Sequence, residues 1–450
     1  MQPFRHHVIV CTQQKADNVQ NCAAAGAGAV LGAFYAETGK QGLADDVIIG
    51  TSGCLGACEH GPVVVVYPAA VWYGKVTPAD VPEIVRCHLG QGKPVERLQI
   101  TDMAALRDEI VDHRKKFYAM MQARDKAGVV PEELYELTRG FQASRAALTA
   151  IELDVFTAVG QGAEAGRVAA KLGADPRATE MLLNALVALR LLEKRGNMFT
   201  NSPAAARFLV EGSPDNARAA LLHTAYLWPR WSTLTECVRK GTAVHPRGAD
   251  DQWIRTFIAA MDRNSKESAA LVVRSVPGNG ARRMLDLGGG SAAFSIAFVK
   301  ANPDLRSDLL DLPNVVPLAQ EYIRKAGLED RVCARAGDML TDRLGQDYDL
   351  VLLSSICHMF TPEQNRGLLR RIFAALAPHG RVVIREFILE ADKTAPRQAA
   401  LFSLNMLVAT DAGASYSEPE YEQWLREIGF GEVKRVRLPG PVGLMIGTRA

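Results

Sequence analysis

The sequence predicts an α/β protein of several domains, and three observations support this fold class. The chain has 450 residues, which exceeds the size at which a single hydrophobic core stops growing. Apolar runs alternate with helical patterns in residues 7–98 and again from about residue 280, while the segment between is almost wholly helical in pattern. We therefore predict a first domain at 1–100, a helical linker at 101–130, a mostly helical domain at 131–245 and a last domain at 246–450.

Charge and composition narrow the possible partners. The net charge is +2 and no long basic block occurs, which argues against nucleic acid or an anionic membrane as a partner and favours a small molecule. The N-terminus lacks a secretory apolar region, and no run of about 18 apolar residues follows, so we expect a cytoplasmic protein. Thiols stay reduced in that compartment, so the eight cysteines suggest metal ligands or buried thiols rather than disulfides.

The first domain alternates strands and helices. Apolar runs predict strands at His7–Cys11, Asp46–Gly50 and Val63–Tyr67, and an alanine-rich stretch predicts a helix over 19–38. This order suggests a small α/β sandwich. A charged amphipathic helix over 101–126 then serves as the linker, with four apolar side chains on or near one face: Leu106, Ile110, Phe117 and Met121.

The helical domain contains a pattern that resembles a winged helix. A helix at 178–189 precedes a hairpin predicted around Arg195-Gly-Asn197. DNA binding is the alternative, but the second helix carries few basic residues for phosphate contacts. We therefore favour packing or dimerisation for this domain.

The last domain begins with a glycine-rich turn after an apolar strand. Strands at 284–287, 307–311, 348–353 and 380–385, with a helix from Ser291 and another at 362–377, predict a doubly wound parallel sheet. The Gly288-Gly-Gly-Ser291 turn lets the backbone approach a ligand closely, and the next helix offers free N–H groups. A dinucleotide site would require a third glycine, and Ala293 stands there instead.

Acidic residues follow the next two strands. Asp311 ends the second strand, where a carboxylate would meet a ribose diol. Asp338 and Met339 end a further strand, which lies between those at 307–311 and 348–353, where an acid and a thioether would bracket an adenine. Three consecutive strand ends are thus predicted to face one ligand.

The motifs of the helical and last domains resemble a known family. They are Glu-Leu-Asp-Val-Phe at 152–156, Leu-Glu-Lys-Arg-Gly at 192–196, Asp286-Leu-Gly-Gly-Gly290, Asp311-Leu-Pro-Asn-Val315, Gly337-Asp-Met339, Ile356-Cys-His358 and Gly429-Phe430. Together they resemble class I S-adenosylmethionine-dependent methyltransferases, and most closely the acetylserotonin and caffeate O-methyltransferases. The resemblance implies a winged-helix dimerisation domain, a homodimer, and a Rossmann-like domain that binds S-adenosylmethionine.

The resemblance also implies the cofactor-binding residues. The methionine end of the cofactor would be lined by Asp286, Gly288, Gly289 and Gly290. Asp311, followed by Leu312, would hold the ribose, and Asp338 with Met339 would flank the adenine.

His358 matches the general base of that family, and Glu386 matches the acid that orients this base. A phenol needs only a neutral imidazole within hydrogen-bond reach to lose its proton, because a methyl sulfonium is already activated. A structural histidine and a solvated surface glutamate are the alternatives. Met359-Phe360 replaces the Asp-Trp of the plant enzymes, and a second orienting acid falls near Ser415, so transfer to carbon or sulfur stays open.

The family places its acceptor pocket between the helical segment and the sheet. Phe257 and Met261, four residues apart on one helix face, are the predicted substrate contacts. Trp228, Trp231 and Trp253 add apolar surface in the same segment. An aromatic stripe at helical spacing is also typical of a core.

The first domain carries four cysteines in two pairs, Cys11-x10-Cys22 and Cys54-x3-Cys58. Together with Gly61-Pro62 and Val63–Tyr67, they resemble thioredoxin-like [2Fe-2S] ferredoxins. Four thiolates suit a [2Fe-2S] cluster, and neighbouring glycines let backbone N–H groups reach the sulfurs. Zinc is a competitor, although structural zinc more often uses a two-residue gap, and a Rieske centre would need histidine ligands.

The remaining cysteines are interpreted as buried free thiols, since Cys87, Cys237, Cys333 and Cys357 lie singly in apolar segments. Cys357 adjoins His358, so contact with a substrate is its alternative role.

These patterns together predict a methyltransferase acting on a hydroxyl of an aromatic, quinol or tetrapyrrole-like molecule. The fused [2Fe-2S] module would serve redox sensing, substrate reduction or docking of a redox partner protein, because methyl transfer itself needs no electron. The alternative is a redox-regulatory or electron-carrier protein whose methyltransferase half only binds ligand. A redox-sensing winged-helix transcription factor is a third interpretation, disfavoured by the near-neutral charge.

Overall fold

The computed structural model describes residues 3–15, 19–126, 130–244, 251–276, 278 and 280–450. Two compact units result, Met1–Leu137 and Thr138–Ala450. The predicted domain boundaries stay predictions, and the boundary at 245/246 and residues 127–129 of the predicted linker lie outside the described residues.

The N-terminal unit contains one four-stranded sheet. Its strands are β1 (His6–Cys11), β2 (Val47–Ser52), β3 (Val64–Tyr67) and β4 (Val71–Tyr73). The spatial order is β2-β1-β3-β4, with β1 and β2 parallel and the other neighbours antiparallel. The helices are α1 (Ala27–Lys40) between β1 and β2, α2 (Val81–Glu83), which continues as a π-helical turn over Ile84–Gly90, and α3 (Met103–Lys126).

The predicted start of the first helix at residue 19 is wrong, because α1 begins only after Gly26, whose φ of 96° suits the left-handed region that glycine tolerates. Valines of β1 and β3 and Phe34 of α1 form the core of this unit, together with Leu106 from the first turns of α3. The beginning of the predicted linker helix therefore packs into the core of the N-terminal unit.

The C-terminal unit begins with helices and one small sheet. The elements are α4 (Glu132–Glu152, which spans the division between the units), α5 (Val155–Val159), β5 (Ala163–Glu164), α6 (Ala165–Leu172), α7 (Pro176–Ala188), β6 (Leu192–Arg195), β7 (Met198–Asn201), α8 (Pro203–Phe208), α9 (Arg218–Trp231), α10 (Leu234–Lys240) and α11 (Asp251–Ser275). The predicted hairpin is present between β6 and β7, with Gly196 at φ 57° in its turn. Together α6, α7 and this hairpin give the helix–helix–wing arrangement.

A seven-stranded sheet follows. Its elements are β8 (Arg283–Leu287), α12 (Ala293–Ala301), β9 (Arg306–Asp311), α13 (Val316–Ala326), β10 (Val332–Ala336), β11 (Tyr348–Ser354), α14 (Pro362–Ala375), β12 (Leu376–Glu386), α15 (Arg397–Ala409), α16 (Glu418–Ile428), β13 (Phe430–Arg437) and β14 (Gly443–Arg449). The spatial order is β10-β9-β8-β11-β12-β14-β13.

The expected parallel sheet is only partly correct. Strands β8 to β12 are mutually parallel, whereas β14 pairs antiparallel with both β12 and β13. A short turn joins β13 to β14, and so short a connection allows only an antiparallel pair. No helix among the described residues is long and apolar enough to cross a membrane.

The strand order reverses between β8 and β11, and this reversal fixes where a ligand can bind. The connection after β8 leads to β9 on one side, and the connection after β11 leads to β12 on the other side. A crevice therefore opens between the carboxyl ends of these two central strands. The glycine turn after β8 and the segment Ser355–Phe360 after β11 both lie at that edge.

Candidate active site

The glycine turn after β8 is restricted by backbone conformation and by close neighbours. Gly288 and Gly290 have φ values of 67° and 56°, and a Cβ on Gly288 would overlap Ile356 Cδ1. A Cβ on Gly289 would lie 2.5 Å from Leu309 Cδ1. Glycine at these positions therefore lets the turn fold tightly against the neighbouring strands, where the backbone can approach a ligand.

Asp286 ends β8 as a buried carboxyl group. Ser295 Oγ donates to its Oδ2 at 2.7 Å, and Ser307 Oγ in turn donates to Ser295 Oγ at 2.9 Å. Its Oδ1 is buried and has no hydrogen-bond partner among the described residues. Burial, with a smaller contribution from the Asp311 charge, raises the pKa of Asp286 from 3.8 to about 6. A cationic ligand group would satisfy this oxygen.

Asp311, at the end of β9, ties its own strand to the glycine turn. Its carboxylate accepts hydrogen bonds from Gly290 N at 2.8 Å and Leu312 N at 2.7 Å. Burial raises the pKa of Asp311, and the two backbone N–H groups partly offset this rise. The structure thus brings Asp311 next to the turn, while the Leu312 side chain is 54% exposed.

Asp338 and Met339 follow β10 as predicted. Asp338 is exposed and accepts a hydrogen bond from Leu340 N at 2.8 Å. Met339 reaches the glycine turn, since its Cε would lie 3.2 Å from a Cβ on Gly288. Three strand ends therefore meet at one edge of the sheet.

His358 and Glu386 form a buried pair. His358 Nδ1 and Glu386 Oε2 are 2.8 Å apart, and His358 N donates to Glu386 Oε1 at 3.3 Å. Glu386 is only 1% exposed, so the interpretation as a solvated surface glutamate is wrong. Both oxygens of Glu386 thus hold one histidine, and no described group hydrogen-bonds His358 Nε2.

Side chains around His358 include some that the sequence did not indicate. The Phe402 ring meets the imidazole edge to face at a centroid distance of 4.9 Å and stacks on Phe387 at 4.0 Å. Ser415 is buried and its Oγ has no described partner. Phe402 lies on α15, far from His358 in sequence, so no local pattern reveals this contact.

The predicted substrate contacts lie on α11. Phe257 packs beside a small apolar cluster and meets the His223 ring at a centroid distance of 5.2 Å. Met261 is half-buried. Trp231 Nε1 donates to Asn405 Oδ1 at 2.9 Å, whereas the Trp253 side chain lies outside the described residues. The role of Phe257 and Met261 toward an acceptor stays a prediction.

The four N-terminal cysteines are arranged as two pairs. Cys54 and Cys58 Sγ are 3.6 Å apart, Cys11 Sγ donates to Gly53 O at 3.5 Å, and the neighbouring Cys22 thiol lowers the pKa of Cys11. Lys15 Nζ donates to Cys58 Sγ at 2.9 Å. Nowhere in the described part of the chain do three or more His, Cys, Asp or Glu side chains form a group that could hold a metal ion.

The other cysteines match the buried-thiol interpretation only in part. Cys237 and Cys357 are buried, Cys87 is half-buried, and Cys333 is exposed at the sheet edge, contrary to expectation. Burial raises the pKa of Cys357 well above its usual value. Because Cys357 belongs to the apolar core, contact with a substrate is not supported.

The residues at the sheet edge suit a nucleoside ligand with an amino-acid group. A tight glycine turn gives close backbone approach, Asp286 offers a buried acceptor oxygen without a partner, and Asp311 is the carboxylate at the second strand end. S-adenosylmethionine has each of the complementary groups. The residues present therefore fit this cofactor.

Similarity to known proteins agrees with this geometry. Residues 135–211 match the family described as O-methyltransferase dimerisation domain, and residues 238–431 match the O-methyltransferase domain. The 3-hydroxy-5-methyl-1-naphthoate 3-O-methyltransferase of Streptomyces sahachiroi is 37% identical, over 71% of this chain and 96% of its own. The tetracenomycin polyketide synthesis 8-O-methyl transferase TcmO of Streptomyces glaucescens is 33% identical, over 71% of this chain and 97% of its own.

Solved structures show the same relationship. Human N-acetylserotonin methyltransferase in complex with S-adenosylmethionine superimposes with a TM-score of 0.64 at 25% identity, over 71% of this chain and 97% of that one. The structure of PigF with S-adenosylhomocysteine superimposes with a TM-score of 0.67 at 27% identity, over 71% of this chain and 100% of that one. The chain therefore belongs to the O-methyltransferase family and is an S-adenosylmethionine-dependent methyltransferase.

Proposed function

We propose that this enzyme methylates a hydroxyl group of an aromatic small molecule, with His358 as general base and Glu386 as the residue that orients it. The buried pair at 2.8 Å carries the proposal, because it fixes an imidazole at the strand ends beside the glycine turn. The names of similar enzymes support an aromatic acceptor, since they include a naphthoate and a tetracenomycin methyltransferase.

The chain's own residues then supply acid–base chemistry and positioning. When bound, S-adenosylmethionine supplies a methyl sulfonium, which is already electrophilic. Glu386 accepts the N–H of His358 Nδ1, which selects the tautomer of the neutral ring whose lone pair is on Nε2 and fixes the direction of that nitrogen. His358 Nε2 accepts the proton of the acceptor hydroxyl group, and the hydroxyl oxygen thereby becomes nucleophilic. Phe402, itself stacked on Phe387, packs against the imidazole.

The cofactor would be held at the three strand ends. Asp286 and the turn Gly288–Gly290 would line its methionine end, Asp311 with Leu312 its ribose, and Asp338 with Met339 its adenine. The contacts of Asp311 and Met339 with the glycine turn support this assignment.

A pair of matched variants tests the base. We expect His358→Asn to lower kcat about 10²–10⁴-fold, the usual contribution of general-base catalysis, with unchanged affinity for S-adenosylhomocysteine by calorimetry. His379→Asn, an exposed histidine with φ 62° that asparagine tolerates, is the control and should match the parent. Equal kcat values for the two variants would show that His358 is not the base.

The enzyme is further proposed to be a homodimer through its helical domain. The match of residues 135–211 to the dimerisation domain supports this assembly. Sedimentation equilibrium should give about twice the chain mass of 48.8 kDa. A monomer at micromolar concentration would contradict the proposal.

The N-terminal unit is proposed to be a thioredoxin-like domain that binds a [2Fe-2S] cluster through Cys11, Cys22, Cys54 and Cys58. The β-α-β unit followed by a β-hairpin and a helix supports the fold. Cys11 ends β1, Cys54 and Cys58 follow β2, and Cys22 lies in the turn before α1 and interacts with Cys11, which supports the ligand set, although no group of three thiols is preformed in the described residues. When bound, the cluster would supply one-electron redox chemistry.

Anaerobic purification tests the cluster. We expect about two iron and two sulfide ions per chain, as a [2Fe-2S] centre requires, and a paramagnetic signal after reduction. Cys54→Ser should abolish both, whereas Cys87→Ser in the same unit should keep them. Zinc in place of iron, or no metal, would overturn the assignment.

A further inference from the structure

Arg385 is a largely buried cation that the proposed mechanism does not use. It precedes Glu386 at the end of β12, and burial lowers the pKa of its guanidinium. Nη1 donates to Ser355 Oγ at 3.1 Å and Nη2 to Ser268 Oγ at 3.2 Å, while the buried Nε has no described partner. All its described hydrogen bonds thus go to neutral hydroxyl groups.

No described carboxylate forms an ion pair with this cation. The nearest acid in sequence, Glu386, points to the opposite face of the strand, because side chains alternate along β structure, and it is engaged with His358. Its charge partly offsets the effect of burial on the pKa of Arg385, but it makes no hydrogen bond to the guanidinium. A buried charge without a counter-ion is costly to maintain. An anionic ligand group would satisfy this cation.

The surroundings of Arg385 place it at the cofactor edge. Its guanidinium stacks over the Phe294 ring, 5.3 Å from the centroid, and Phe294 lies in the first turn of α12, directly after the glycine turn. Ser355 follows β11 on the other side of the crevice. The next residue of α12, Ser295, holds Asp286.

We propose that Arg385 binds the α-carboxylate of the methionine moiety of S-adenosylmethionine, while Asp286 takes its ammonium group. Two buried atoms without described partners, Arg385 Nε and Asp286 Oδ1, are complementary to the two charges of an α-amino acid. The inference rests on the cofactor site proposed above. The site would then select ligands that carry both the ammonium group and the carboxylate of the methionine moiety.

A ligand pair isolates this contact. S-adenosylhomocysteine carries the carboxylate, whereas S-adenosyl-3-thiopropylamine, its decarboxylated form, keeps the ammonium group and lacks the carboxylate. Calorimetry with both ligands on the parent enzyme and on Arg385→Met gives a thermodynamic cycle. The control is Arg381→Met, four residues earlier on the same face of the same strand.

We expect Arg385→Met to weaken S-adenosylhomocysteine binding about 10–100-fold, the usual effect of losing a hydrogen bond to a charged group. Binding of the decarboxylated ligand should change less than about twofold. Equal losses for both ligands, or none, would overturn the assignment. Failure of the parent to bind S-adenosylhomocysteine would instead contradict the cofactor site itself.

Arg385→Lys serves if the methionine variant does not fold. Lysine keeps the charge but loses the planar fork, so it should lose part of the preference for the carboxylate ligand. An unchanged ratio of the two affinities in this variant would contradict a direct contact.

Discussion

Two acidic side chains at the strand ends are buried for opposite purposes. Glu386 is fully engaged with His358, whereas Asp286 keeps one oxygen without a described partner. A buried carboxylate without compensation destabilises the protein that contains it. In the proposed cofactor site, the ammonium group of the ligand would compensate this oxygen.

Replacing Asp286 by asparagine should therefore stabilise the ligand-free enzyme at pH 8. The pKa of Asp286 rises from 3.8 to about 6, so the folded state binds a proton more tightly than the unfolded state. The free energy of unfolding of the parent thus falls by about 3 kcal/mol as the pH rises from below 3.8 to above 6. The asparagine variant has no titrating group at this position and does not show this loss. The two proteins should differ by about that amount in free energy of unfolding at pH 8.

Chemical denaturation at several pH values checks this effect. The difference between Asp286→Asn and the parent should shrink below pH 6 and vanish near pH 4. The same variant should bind S-adenosylhomocysteine more weakly, because its amide cannot pair with an ammonium group as a carboxylate does. A variant less stable than its parent at pH 8 would refute the burial argument.

The glycine turn shows how one element depends on its neighbours. Gly289 has no left-handed φ, so its requirement for glycine comes from space alone. Leu309 of β9 and Asp286 of β8 occupy the volume that a Cβ would need. The turn is therefore shaped by contacts with two different strands.

Gly289→Ala should consequently damage both stability and cofactor binding. Overpacking of this kind costs about 1–3 kcal/mol, and we expect a cofactor affinity at least about tenfold lower, since the turn must shift. Gly367→Ala in α14, where no atom lies within 4 Å of the added Cβ, is the matched control. It should gain up to about 1 kcal/mol from helix propensity. Thermal unfolding and calorimetry on both variants measure this contrast.

The whole molecule consists of two units, each with its own hydrophobic core. The relatives match about 70% of this chain but nearly all of their own length, and the family matches begin only at residue 135. The N-terminal unit is thus an addition to an otherwise complete methyltransferase.

Loss of the proposed cysteine ligands should accordingly leave binding of S-adenosylhomocysteine intact. We expect the Cys54→Ser/Cys58→Ser double variant to bind S-adenosylhomocysteine within about twofold of the parent, because each core buries its own apolar residues. The rate of methyl transfer in the reduced and oxidised parent then reports whether the N-terminal unit regulates the reaction. A large loss of affinity in the double variant would show that the two units are energetically coupled.

The sequence alone predicted the helical dimerisation domain and the Rossmann-like fold, together with several of their elements. Periodicity identified the strands β8, β9 and β11 and the β6–β7 hairpin, because apolar alternation and turn residues are local signals. The motifs also placed Asp286, Asp311 and His358 at strand ends. Local signals failed at the start of α1, where the alanine-rich pattern predicts a helix from residue 19 but the helix begins only after Gly26.

Only the tertiary structure decided which of these side chains act together. His358 and Glu386 are 28 residues apart, and their contact depends on the pairing of β11 with β12. The antiparallel pairing of β14 and the hydrogen bonds of Arg385 to Ser355 and Ser268 likewise depend on how distant segments pack. Hydrogen bonds and charge compensation between distant residues leave no periodic trace in a sequence, whereas burial of one face of a helix or strand does.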